Sequence, residues 1–125
     1  MEINKVFIAE NEAIIVLDIK SILAANSFSV IGTCRTYSGV VRIVKEQSPD
    51  LLITSLHIHK EHDYFDKIVS LQKEYNFFVL FLSAIADVSK FKAKCNSEYF
   101  TFLKKPFNSD DLLNSINSFK LKTNT

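Results

Sequence analysis

Residues 49–58 read PDLLITSLHI, and the segment Leu51 to Ser55 (LLITS) decides the fold. Its apolar residues run consecutively instead of alternating, so a strand here must be covered on both faces, as in the middle of a parallel sheet. Just before it, Ser48-Pro49-Asp50 breaks a helix that opens at Thr36 or Tyr37 and turns Val40, Val41 and Val44 inward. Upstream of that helix, Phe28 to Gly32 is a β-branched-rich strand whose weak alternation predicts burial. Glu12 to about Asn26 is a helix with Ile15, Ile19, Ile22 and Leu23 at helical spacing, and Asn11 is its expected cap. Lys5 to Ala9 is a short apolar strand that ends in the polar cluster Glu10-Asn11-Glu12.

Downstream, His57 to His62 is a polar loop, and Phe65, Ile68, Val69 and Leu71 place a third helix before Asn76. Phe77 to Leu82 (FFVLFL) is the most hydrophobic stretch and must be an interior strand. A fourth helix with a weak apolar face is predicted from Asp87 to about Asn96. A fifth strand follows from Tyr99 to Leu103, and a fifth helix from Asn108 to Leu121. Asn108 or Ser109 caps that last helix. Asp110 and Asp111 suit the positive end of its dipole, and Lys120 and Lys122 the other end. Strands and helices in strict alternation predict an α/β fold, a doubly wound five-stranded parallel sheet in a three-layer α/β/α arrangement. The expected organisation is one domain over residues 1–125, with residues 122–125 as a frayed tail.

Composition narrows the function. The 125 residues can bury a proper core, and 47% hydrophobic against 23% charged residues argues against disorder. A formal net charge of +1 with mixed signs leaves no electrostatic footprint for nucleic acid or an anionic membrane. The polar start, Met1 to Lys5, resembles neither a signal peptide nor an anchor, and no apolar stretch is long enough to span a bilayer. A cytoplasmic protein is expected. Cys34 and Cys95 lie far apart without paired spacing, which predicts buried or idle thiols in a reducing compartment.

In an open parallel sheet, ligands sit beyond the carboxyl ends of the strands. Those ends carry Glu10-Asn11, Thr54-Ser55, Ser83-Ala84 and Lys104-Lys105-Pro106. An acid, two hydroxyls and a lysine are therefore expected to meet in one crevice.

Four blocks in register, KVFIAENEAII, PDLLITSLHI, VLFLSAIAD and FLKKPFNSDDL, resemble the receiver domain of bacterial two-component response regulators over essentially the whole chain. The resemblance implies the flavodoxin-like strand order 2-1-3-4-5. It also implies a pocket in which an aspartate accepts a phosphoryl group from a kinase histidine and an acidic pair helps hold Mg²⁺. By position, Ser55 stands where the phosphoacceptor aspartate belongs. Glu10 and Asn11 stand on the acidic pair, Ser83 on the conserved hydroxyl, Lys105 on the lysine, and Phe102 on the aromatic that changes rotamer on activation. The resemblance implies signalling partners, a sensor kinase or an effector, through the face of helix four, strand five and helix five. Homodimer formation there is a second option.

The departures alter the chemistry. Three carboxylates against one lysine would give the pocket a formal charge of −2, whereas Glu10 against Lys105 leaves it near zero. Mg²⁺ is usually held by one or two carboxylates with water and phosphate, so its binding is expected to be weak or lost. Glu10 is long enough to reach Lys105, and a structural ion pair is predicted. Ser55 is an alcohol that needs a base or metal to become nucleophilic, and its phosphoester would be stable, not labile. Where the family commonly has Asp-Gly after strand three, Asp63 is followed by Tyr64.

The leading expectation is an atypical, non-enzymatic receiver that acts by protein contacts without aspartyl phosphorylation. The alternative is a receiver that still switches by phosphorylation at Ser55 or a nearby acid. A flavin- or nucleotide-binding enzyme on the same fold ranks last, because Gly32 and Gly39 are the sole glycines and neither builds a phosphate-cradling loop after strand one. Glu12 reads as a first-turn helix acid. His57, His59 and His62 read as solvated loop histidines, since their spacing matches no common zinc arrangement.

Overall fold

The computed structural model describes residues 2–85 and 87–123, with side chains through Phe119. Five strands, β1 (Lys5–Ala9), β2 (Ser29–Cys34), β3 (Leu51–Ser55), β4 (Phe78–Ser83) and β5 (Phe100–Lys104), form one sheet in the order β2-β1-β3-β4-β5. Every pairing is parallel. The intervening helices are α1 (Ala13–Ala25), α2 (Tyr37–Gln47), α3 (Tyr64–Tyr75), α4 (Ser89–Lys92) and α5 (Ser109–Thr123).

Strand alternation sorts the core into two layers. Val6 and Ile8 of β1, Leu51 and Ile53 of β3, and Phe78, Leu80 and Leu82 of β4 pack with Ile19 and Leu23 of α1 and Leu112, Ile116 and Phe119 of α5. On the opposite face Phe7, Leu52, Val79, Phe81 and Phe100 pack with Val40, Ile43 and Val44 of α2 and Phe65 and Ile68 of α3. All of β3 and β4 is buried. A strand with both faces covered has no polar side to alternate with, which is why the LLITS and FFVLFL runs identify the middle of the sheet.

Several local expectations are corrected. β2 is shifted to Ser29–Cys34 and is only partly buried, because it is an edge strand next to β1 alone. In α2 the third inward residue is Ile43, and Val41 is only partly covered. The fourth helix is a single turn, Ser89–Lys92, not a segment from Asp87 to Asn96. No buried residue anchors it, and its lysines flank its one ring, Phe91, so little apolar burial holds a longer helix in place. α5 runs to Thr123, so residues 122 and 123, expected to fray, are helical; Asn124 and Thr125 lie outside the described residues. The dipole pairing expected of Lys120 and Lys122 also falls on side chains outside the description.

Caps fix the helix ends that face the strand tips. Thr36 Oγ1 accepts a hydrogen bond from the Gly39 N–H at 3.1 Å, and Asn108 Oδ1 accepts one from the Asp111 N–H at 2.8 Å. Asn11 does not cap α1: Glu12 is the N-cap residue, and its side chain makes no capping bond. Glu12 therefore stands before the first turn, not within it. The helix start is held instead from the pocket side, where Glu10 Oε2 accepts the Glu12 N–H at 3.2 Å. Among the described residues no helix is long and apolar enough to cross a membrane.

Candidate functional site

Parallel pairing brings the tips of β1, β3 and β5 to the same end of the sheet, and three polar side chains converge there. Glu10 follows β1, Ser55 is the last residue of β3, and Lys105 follows β5. Lys105 Nζ donates to Glu10 Oε1 at 2.7 Å and to Ser55 Oγ at 3.2 Å. The predicted ion pair is therefore present, and the same ammonium also donates to the serine hydroxyl. Glu10 and Ser55 are 3% and 8% exposed, and the Lys105 side chain is 15% exposed. Charge-assisted hydrogen bonds at such depth are stronger than at the surface, and the desolvation of each ion is offset only while its partner stays in place.

The lysine is held from both ends. Its own N–H donates to the Ser83 carbonyl at 2.8 Å, which ties the turn after β5 to the tip of β4. The peptide between Lys105 and Pro106 is cis. Leu56 N–H donates to Leu82 O at 2.8 Å, which fixes the exit of β3 in the same way.

The remaining residues of the expected crevice are turned to other tasks. Asn11 Oδ1 accepts the His59 N–H at 2.8 Å and pins the β3–α3 loop to the end of β1. Ser83 is 3% exposed, but its hydroxyl bonds within its own loop, accepting the Ile85 N–H at 3.0 Å and donating to Ile85 O at 3.3 Å. The structure thus brings Glu10, Ser55 and Lys105 together and leaves Asn11 and Ser83 beside them, engaged elsewhere. Phe102 lies on β5 half-buried, its ring 5.3 Å from that of Phe81 and under Lys92 Nζ at 5.9 Å.

Two features of the β3–α3 loop escape sequence reasoning. Thr54 bonds the hydroxyl of Tyr64 at 2.7 Å in full burial, so the loop is closed across its base by a side-chain pair. Burial holds the Tyr64 hydroxyl well above the usual phenol range, and the bond with Thr54 opposes that shift. The left-handed conformation expected of a glycine is taken by Asp63 (φ 55) and Lys60 (φ 64). Aspartate tolerates this region, which explains how the loop forms without glycine. Of the three loop histidines, His57 stacks edge-on to Phe91 at 6.0 Å, and His59 enters the pocket wall by its backbone alone. Cys34 and Cys95 are free thiols, both partly buried.

The strand-tip oxygens of Glu10 and Asn11 already have hydrogen-bond partners. The Glu10 carboxylate has one oxygen on an ammonium and the other on a backbone N–H, and Asn11 Oδ1 accepts the His59 N–H. Mg²⁺ requires near-octahedral oxygen ligands and commonly one or two free carboxylates.

A family model described as the response regulator receiver domain matches residues 6–117. No curated protein matches the sequence. Among solved structures, the signal receiver domain of a modulated diguanylate cyclase from Desulfovibrio desulfuricans G20 is similar with a TM-score of 0.82 and 21% identity, over 98% of each chain. The isolated REC domain of RcsB from Salmonella enterica serovar Typhimurium has a TM-score of 0.81 and 16% identity, over 96% of this chain and 90% of that one. The response regulator PhyR from Brucella abortus has a TM-score of 0.79 and 19% identity over 98% of this chain, which spans 49% of PhyR. These likenesses concern the fold, and the family model carries the membership. With that model matched from β1 into α5, the chain belongs to the response regulator receiver domain family.

Proposed function

We propose that this receiver domain, a module of two-component signalling, acts through protein contacts in the cytoplasm without aspartyl phosphorylation. The observation that carries the reading is the engagement of Lys105 by Glu10 and Ser55, a bonded cluster whose own formal charges, −1 and +1, sum to zero. A divalent cation has little electrostatic reason to enter such a pocket. The Ser55 hydroxyl lies 3.2 Å from an ammonium, which donates to its oxygen and withdraws electron density from it. The nearby carboxylate that could serve as its base is held by the same lysine. Activation of an alcohol requires a free base or a metal, and neither fits this arrangement. The same contacts support a non-enzymatic role, with Glu10, Ser55 and Lys105 acting as a structural clamp on the sheet's carboxyl edge.

The test is incubation of the protein with acetyl phosphate and Mg²⁺, followed by intact-mass analysis before and after acid treatment. No added phosphoryl group is expected. A stoichiometric acid-labile adduct overturns the reading, and an acid-stable adduct on Ser55 replaces it with a receiver that switches through serine.

A further inference from the structure

Helix α1 is apolar on its outer side as well as its inner one. In its sequence, AIIVLDIKSILAA, Asp18 and Lys20 alone are charged. Ile19 and Leu23 are buried, and Ile15, Val16 and Ile22 pack partly against the same core layer, which accounts for the inner side. Ile14 and Leu17 face away from it and are 81% and 65% exposed, more than any other large hydrophobic among the described residues. With Ser21 and Ala24, also exposed, they recur at spacings of three, four and three residues, the seam by which one helix packs on another. The outer face of a solvated surface helix is ordinarily polar.

Two grooves of about 430 Å³ each flank the seam. One runs between α1 and the end of β2, lined by Ala13, Val16, Leu17, Thr33 and Arg35. The other runs between α1 and the turn after β5, lined by Glu12, Ile15, Asp18, Pro106 and Phe107. Their charges differ in sign. Arg35 borders the first, and Lys20, two helical turns from Ala13, lies on that side too. Glu12 and Asp18 border the second. All four are exposed, and none is ion-paired among the described residues. Glu10 and Lys105 also line the grooves, one in each, but they neutralise each other through their own ion pair.

We infer that α1 pairs with α1 of a second copy of this chain, the two helices parallel about a two-fold axis. Rotation about an axis along the helix sets each flank of one copy against the opposite flank of the other. Lys20 and Arg35 of one copy then face Asp18 and Glu12 of the other. Ile14 and Leu17 of both copies meet in the seam, and the small Ser21 and Ala24 let the backbones approach at its far end. An antiparallel pair would set Asp18 beside Asp18 and Lys20 beside Lys20, which repel. A patch that carries both halves of its charge pattern suits itself, whereas a foreign helix with charge of one sign is opposed on one flank. A stable interface buries about 1,200 Å² or more in total; the seam supplies its centre and the grooves its width. The pairing uses α1, not the face of α4, β5 and α5 that the resemblance implies, and it does not depend on the state of Ser55.

The test is sedimentation equilibrium of the full chain from micromolar to near-millimolar concentration, where a reversible dimer is expected. Leu17→Glu, altered at an exposed position, should keep the melting temperature and remain monomeric. Asp18→Lys and Lys20→Glu should each weaken the dimer about tenfold. The two changes together should recover most of that loss, since the flanks then exchange signs. Ile14→Cys should cross-link to itself under a thiol oxidant, with the natural chain as the control for Cys34 and Cys95. An antiparallel pair, with position 14 opposite position 24, would hold the two introduced thiols about 15 Å apart along the helix. A monomer at every concentration overturns the inference and leaves the face to a foreign partner. A dimer that survives Leu17→Glu overturns it by placing the contact elsewhere. Failure of the double charge change to restore association, or a dimer without the cross-link, overturns the parallel pairing. No phosphodonor is present, so failure here is distinct from failure of the phosphorylation assay.

Discussion

Lys105 is shared between an anion and an alcohol, and the two contacts have different weights. Glu10 is almost wholly buried, so loss of its counter-ion strands a charge, which costs about 3 kcal/mol or more. Lys105→Met should therefore lower the unfolding free energy by about 3 kcal/mol in a urea titration. Glu10→Gln combined with Lys105→Met should recover most of that loss, since an uncharged amide can still accept the Glu12 N–H. Equal destabilisation by the single and double changes would show that the ammonium matters through packing and not through charge. Cys34 gives a second residue-scale expectation. Desolvation raises its thiol from the ordinary value of 9.0 to about 11, so the folded state holds the proton more tightly than the unfolded chain. The associated stability is fully present below pH 9.0 and is lost as pH rises towards about 11. Cys34→Ala should flatten the fall in melting temperature across that window, and an unchanged alkaline slope would refute the assignment.

At the scale of elements, α2 shows how a local rule yields to packing. Gly39 lies inside the helix, where alanine is normally favoured by about 1 kcal/mol. A Cβ at that position would stand 2.8 Å from Cys34 Cβ on β2, closer than real carbons approach. Gly39→Ala should therefore destabilise the fold in thermal unfolding despite its better propensity, and stabilisation would mean that β2 yields freely. Sequence periodicity identifies α2 and α3 because each presents an apolar stripe to the sheet. It fails for α4 because Val88 and Phe91 are too few to bury a face, and their spacing cannot show where the backbone stops being helical. The same limit hid the link from Asn11 to His59. An asparagine before a helix suggests a cap, and only the tertiary fold shows that its oxygen faces the β3–α3 loop.

For the whole molecule, two uninterrupted apolar runs mark β3 and β4 as interior strands, because strands covered on both faces leave no polar alternation. The order of the sheet, by contrast, follows only from the resemblance to receiver domains. β2 was misjudged since partial burial at an edge and full burial in the middle both weaken alternation. The strand order in turn places Glu10, Ser55 and Lys105 at one end of the sheet, which is why the ion pair could be anticipated from residues far apart in the chain. The direction of the Ser83 hydroxyl could not, because it depends on the path of its own loop. A parallel sheet with helices on both faces is thus compatible with a neutral, clamped pocket at the position where the family implies an acidic one. The measurement that bears on this most directly is a calorimetric Mg²⁺ titration of the natural chain beside the Asn11→Asp/Ser55→Asp variant. The variant adds two carboxylates beside the charge-balanced Glu10–Lys105 pair and should bind Mg²⁺ saturably, while the natural chain should show only heats of dilution. Saturable binding by the natural chain, at an affinity like that of the variant, would contradict the account.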